Sequence, residues 1–139
     1  MRLMAVDLGD KRTGLAVGDD ETGIVTPVEV LNIIRPAQEA RLIEAILHAA
    51  REHGAAVLVL GLPINMDGSE SDRARLVRAF GARLEAAASP PIRIVYQDER
   101  LTSDAAEAYL DRSGRTRGEK KQRRDALAAM VILRDYLNQ

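Results

Sequence analysis

The chain contains no cysteine and no tryptophan, one phenylalanine and three tyrosines in 139 residues. Without cysteine, disulfides, thiolate metal sites and cysteine nucleophiles are excluded, and a reducing compartment fits the absence. With aromatics at 3%, few rings are available on which unpaired bases could stack. Recognition of nucleic acid would therefore rest on backbone and shape. An excess of one charge is also missing: 20 Lys and Arg stand against 21 Asp and Glu, a net charge of -1. That gives no global attraction to a polyanion, so any such attraction must come from local clustering. Nor is there a long apolar run at the start, because Met1 to Val6 meets Asp7 at once, too soon for a signal peptide or a membrane span. A soluble, cytoplasmic protein without membrane contact is expected.

What is present is a hydrophobic fraction of 46%, enough for one core and one domain over residues 1–139. One basic cluster stands out. Arg112, Arg115, Arg117, Lys120, Lys121, Arg123 and Arg124 lie between Asp111 and Asp125, opposed only by Glu119. It reads either as a phosphate-binding arm or as a solvated loop.

Arg2 to Asp7 and Gly14 to Gly18 read as strands joined by a polar turn, and Ile24 to Ile34 as a third strand whose Pro27 places its start at a sheet edge or bulge. From Ala37 to His53, Leu42, Ile43, Ile46, Leu47 and Ala50 recur at helical spacing, and Gly54 ends the helix. Ala56 to Leu60 is uninterrupted and apolar, which predicts a central strand covered on both faces and parallel to the first. Ser69 with Asp72 resembles a cap for a helix along Ala74, Val77, Phe80, Gly81 and Leu84. Pro90 and Pro91 precede a fifth strand, Ile92 to Tyr96, and a helix from about Thr102 to Leu110 follows. After the basic stretch an apolar helix runs from Ala126 to Leu133 and closes near Leu137. The order implies an α/β fold: a five-stranded mixed sheet, antiparallel in its first half and parallel in its second, flanked by helices on both faces.

In such a sheet ligands bind beyond the carboxyl ends of the parallel strands. Asp7 ends the first strand and Glu99 lies just past the fifth, so both reach one edge. Asp125 opens the last helix, which can bring it opposite them if it packs across the sheet. Three converging carboxylates suit Mg²⁺ or Mn²⁺, hard cations that take oxygen ligands. Such ions activate water during phosphodiester displacement. Each residue also has a plainer reading: Asp7 with Gly9 as a tight turn, Asp125 as an N-cap, Glu99 as a surface ion pair. Lys11 and Arg12, beside Asp7, are placed to meet substrate phosphates. Asn65, Ser69 and the backbone N–H groups that follow could hold another phosphate, against the opposing charge of Glu70 and Asp72. Arg115, Arg117, Lys120 and Lys121 are the substrate-binding candidates of the basic segment. His48 and His53 read as surface residues.

Four ordered segments are similar to one family: Asp7 to Val17 (DLGDKRTGLAV), Gly61 to Ser69 (GLPINMDGS), Asp98 to Ser103 (DERLTS), and Asp125 to Ala129 with Ile132-Leu133 and Tyr136-Leu137. They resemble the YqgF family of bacterial pre-ribosomal RNA nucleases, also described as Holliday-junction-resolvase-like from its kinship to RuvC. Ile64 and Asp10 stand where that family varies. The resemblance implies a ribonuclease H-like fold, maturation of the 5′ end of pre-16S rRNA, and Asp7, Glu99 and Asp125 as acidic site residues. The partner it implies is nucleic acid, either precursor rRNA or branched DNA; a monomer or weak homodimer is expected. Three other readings stay open: a DNase cutting four-way junctions, a sugar-kinase or actin-like ATPase suggested by Asp7-Leu8-Gly9 before Thr13-Gly14, and a non-catalytic RNA-binding module. Length opposes the ATPase, which clasps its nucleotide between two such domains.

Overall fold

The computed structural model describes residues 1–99 and 126–139 in full and residues 117–125 as helical backbone. Strands β1 (Arg2–Asp7), β2 (Thr13–Asp19), β3 (Val25–Leu31), β4 (Val57–Leu62) and β5 (Arg93–Asp98) form one sheet in the order β3-β2-β1-β4-β5. β1–β2 and β2–β3 pair antiparallel, whereas β4 pairs in parallel with β1 and β5. This is the expected mixed sheet. Pro27 is doubly accommodated: β3 is an edge strand, and its register against β2 slips between Leu15 and Ala16, which face Glu29 and Pro27. The missing proline N–H is thus not lost from a central ladder. β3 is shorter than expected, because past Leu31 the chain leaves the sheet and Ile33 enters the core that α1 (Glu39–Glu52) shares.

Alternation along the strands sorts side chains between two cores. Met4, Val6, Leu58 and Leu60 face α1 and α2 (Asp72–Ala87), against Leu42, Ile46, Phe80 and Leu84. Leu3, Ala5, Val57 and Val59 face the other side, where Ala129, Ile132 and Leu133 of α3 (Arg117–Leu137) cover them. Each such Leu or Ile, being fully buried, contributes about 1.5–3 kcal/mol of transfer free energy. The buried faces of α1 and α2 carry the expected residues, and α1 ends before Gly54, whose φ is 65°.

Two helix starts differ from expectation. α2 is capped by Ser71, whose Oγ accepts from the N–H of Ala74; Ser69 instead bonds Asp67 within the preceding loop. α3 is described from Arg117 onward, so Asp125 lies at least about two turns inside it rather than at its opening. Apolar periodicity marks only the part of a helix that is covered. Apart from Gly118, the turns before Asp125 are built of Glu, Lys, Gln and Arg, which are good helix formers with nothing apolar to bury. The N-cap reading of Asp125 therefore falls. The expected helix from Thr102 to Leu110, with Arg112 and Arg115, lies outside the described residues, and of the basic segment Arg117 to Arg124 only the helical backbone is described.

Candidate active site

The register of the parallel strands brings the first two carboxylates together. Val6 pairs with Leu60, so Asp7 stands level with Gly61, and Gly61 pairs with Gln97. Leu3, Ala5 and Asp7 alternate onto the face covered by α3, as do Val57, Val59 and Gly61, and Val95, Gln97 and Glu99. Asp7 and Glu99 therefore share one face at the carboxyl ends of β1 and β5, with only a glycine on the strand between them.

A cleft of about 160 Å³ opens there, lined by both carboxylates, Gly61, Arg73 and, from α3, Ala128 and Ile132. It has room for several waters besides an ion, since a water occupies about 30 Å³. Both acids are half-buried, and Oε1 of Glu99 is shut off from solvent. A side chain at Gly61 would crowd the helix opposite: a Cβ there would lie 2.5 Å from Cδ1 of Ile132. A smaller cavity at the opposite end of the strands, lined by Leu47, Ala50, Pro90 and Pro91, contains no carboxylate. Among the described residues no three acidic or histidine side chains cluster closely enough to hold an ion by themselves. Two carboxylates, no thiolate and no imidazole make a hard-oxygen donor set that fits Mg²⁺ or Mn²⁺.

The turn that follows Asp7 is tightly built. The N–H of Gly9 donates to Oγ1 of Thr13 at 3.3 Å, and the Arg12 carbonyl occupies the space a side chain at Gly9 would need. Lys11 is exposed and Arg12 half-buried on this turn. Arg73, in the first turn of α2, donates to Oδ1 of Asp10 at 2.7 Å and to the Leu8 carbonyl at 3.0 Å. The hydrogen bond from Arg73 holds the Asp10 carboxyl below its ordinary pKa of 3.8. Sequence reasoning missed Arg73, because its partners lie 63 and 65 residues away and leave no local pattern.

In the loop from 62 to 69, Nδ2 of Asn65 donates to Oγ of Ser69 at 3.1 Å, and that hydroxyl donates to Oδ1 of Asp67 at 2.6 Å. The loop thus opens at the expected edge, with its polar side chains bonded to one another. His48 is exposed on α1 beside Glu52, away from the cleft.

A family model described as "RuvX: Holliday junction resolvase" matches residues 1–139. A protein of Anaeromyxobacter sp. (strain K), named "Putative pre-16S rRNA nuclease", is 41% identical, with 99% of this chain and 97% of that protein covered. A protein of the same name from Pelotomaculum thermopropionicum is 35% identical, over 99% of this chain and 87% of its own length. Among solved structures, RuvC of T. thermophilus in complex with a Holliday junction substrate is similar over 99% of this chain and 96% of its own, with a TM-score of 0.59 at 18% identity. The fowlpox virus Holliday junction resolvase is similar over 99% of both chains, with a TM-score of 0.56 at 11% identity. These likenesses show the ribonuclease H-like fold. From the match along its whole length and from relatives of this identity, the chain belongs to the RuvX family.

Proposed function

We propose that this chain is a divalent-metal-dependent nuclease that hydrolyses phosphodiester bonds of structured nucleic acid, with 5′-end maturation of pre-16S rRNA as its role in the cytoplasm. The observation that carries the reading is the convergence of Asp7 and Glu99 on one cleft at the carboxyl ends of parallel strands, in a family whose relatives bear the nuclease name. Asp125 is the third acid. It precedes Ala128 by three residues and Ile132 by seven on the same helix, and both of those line the cleft. Positions so spaced share a helix face. Asp7, Glu99 and Asp125 would hold Mg²⁺ or Mn²⁺, which when bound supplies an activated water and neutralises charge on the phosphate. The protein's own part is to orient the scissile phosphate. Lys11 and Arg12 flank it beside Asp7, Asn65 meets a neighbouring phosphate, and Arg115, Arg117, Lys120 and Lys121 are the further phosphate contacts. One domain over residues 1–139, acting as a monomer or weak homodimer, suffices for single cuts.

The description of the matching family favours a second reading, cleavage of four-way DNA junctions. Purified protein offered a precursor-rRNA leader and a four-way DNA junction, each with Mg²⁺ or Mn²⁺, separates the two. We expect metal-dependent cuts in the RNA. Asp7→Asn, Glu99→Gln and Asp125→Asn should each lose cleavage while staying folded, because an amide nearly preserves shape and removes the charge a cation requires. Full activity in any one variant removes that residue from the site, and cleavage of the junction alone reverses the substrate assignment.

A further inference from the structure

The turn after Asp7 is gripped from two sides by arginines that meet on one carboxylate oxygen. Arg73 reaches it from α2 at 2.7 Å and Arg35 from the β3–α1 connection at 3.6 Å. The backbone adds a third tie, since the Arg35 N–H donates to the Asp10 carbonyl at 2.7 Å. Arg35 is buried, its side chain 5% exposed, with its guanidinium 5.3 Å from the Phe80 ring centroid. Its other nitrogen stands 3.6 Å from Oε1 of Glu39, which also accepts from Arg83 at 2.6 Å. Charges thus alternate through Arg73, Asp10, Arg35, Glu39 and Arg83, from the lip of the cleft to the packing of α1 on α2.

Stability alone does not account for this arrangement. Asp10 is 67% exposed, and exposed pairs contribute about 0–1 kcal/mol, whereas burying Arg35 carries a desolvation cost. What the array does is geometric. The Arg73 fork holds the Leu8 carbonyl and the Asp10 carboxylate at once, on either side of Gly9, in the segment that leads directly out of Asp7. We propose that Arg73 is a positioning residue for the metal-binding carboxylates: by clamping residues 8 and 10, with Arg35 as the buried anchor, it fixes Asp7 against Glu99 across the cleft. The proposal rests on the nuclease reading above and adds a residue to it.

Arg73→Ala, Asp10→Ala, their double variant and Arg73→Lys test it, with Mn²⁺ affinity by titration calorimetry, kcat, KM and thermal unfolding as readouts. Arg73→Ala should weaken Mn²⁺ binding and lower kcat by about tenfold each, the order found when support of a metal ligand is removed, with KM and its salt dependence unchanged. The double variant should be no worse than Arg73→Ala, because both substitutions release one clamp. Arg73→Lys should recover only part of the loss, since one ammonium cannot span both acceptors in the fork's geometry. Parental Mn²⁺ affinity and kcat in Arg73→Ala overturn the proposal; so does a raised KM with unchanged kcat, the mark of direct phosphate binding. Should Arg73→Ala not fold, the exposed Asp10→Ala carries the same comparison. A parent that binds Mn²⁺ yet cuts nothing overturns the nuclease reading alone, and one that binds no Mn²⁺ overturns both.

Discussion

A methyl group on Gly61 would stand 2.5 Å from Cδ1 of Ile132 and 3.8 Å from Cγ of Glu99. Ile132 is buried between α3 and the sheet, so its terminal methyl must turn aside, into tight packing or toward the cleft it lines. Gly61→Ala should therefore lower stability by about 1–3 kcal/mol, the usual cost of overpacking, read as a lower melting temperature. Cleavage at a temperature where the variant is still folded should also fall, since Gly61 and Ile132 both line the cleft. A full melting temperature in Gly61→Ala would show that Ile132 has slack. Asp10 makes a pH prediction. Its folded pKa lies below 3.8 because Arg73 hydrogen-bonds the ionised form. The contribution is therefore complete above the unfolded value and is lost as pH falls through the folded one. In denaturant unfolding the stability difference between parent and Asp10→Ala should hold steady at neutral pH and shrink below pH 3.8, a small effect because the group is largely exposed.

At the scale of elements, Ser71 accepts from the N–H of Ala74 and donates to the Pro63 carbonyl at 2.8 Å, so it caps α2 and ties that helix to the loop leaving β4. Ser71→Ala should cost about 1 kcal/mol, measured by chemical denaturation, whereas Ser69→Ala should leave α2 intact. The strands were legible because alternation and uninterrupted apolar runs are local signals, and the pairing of Asp7 with Glu99 followed from both being strand-terminal in a parallel sheet. The turns of α3 before Asp125 were not legible: without apolar residues they carry no periodicity, so Asp125 looked like an opening residue. The ties of Arg73 and Arg35 to Asp10 were illegible for a different reason. An ion pair between distant segments depends on how helices settle on the sheet, and no window of the chain contains both partners. For the basic segment, replacing Arg115, Arg117, Lys120 and Lys121 by Ala should weaken binding to many sequences alike and reduce the salt slope by about one for each phosphate left without its cation; an unchanged slope would show that the segment does not bind phosphates.

For the whole molecule, α3 covers one face of the sheet, whereas α1 and α2 divide the other. It also follows all five strands in the chain. During synthesis the strands emerge before their second cover does, and Leu3, Ala5, Ala16, Val57 and Val59 stay wet until α3 docks. A chain stopped before Arg117 should bind a hydrophobic dye and aggregate, and adding residues 117–139 back should suppress both. Asp125 travels on the same helix that seals this face. On the proposed assignment the growing polypeptide has no complete cutting site while it is being made, and it becomes a nuclease in the same step that buries its second core. A ribosome translating this chain would then be shielded from the product by the order of translation alone.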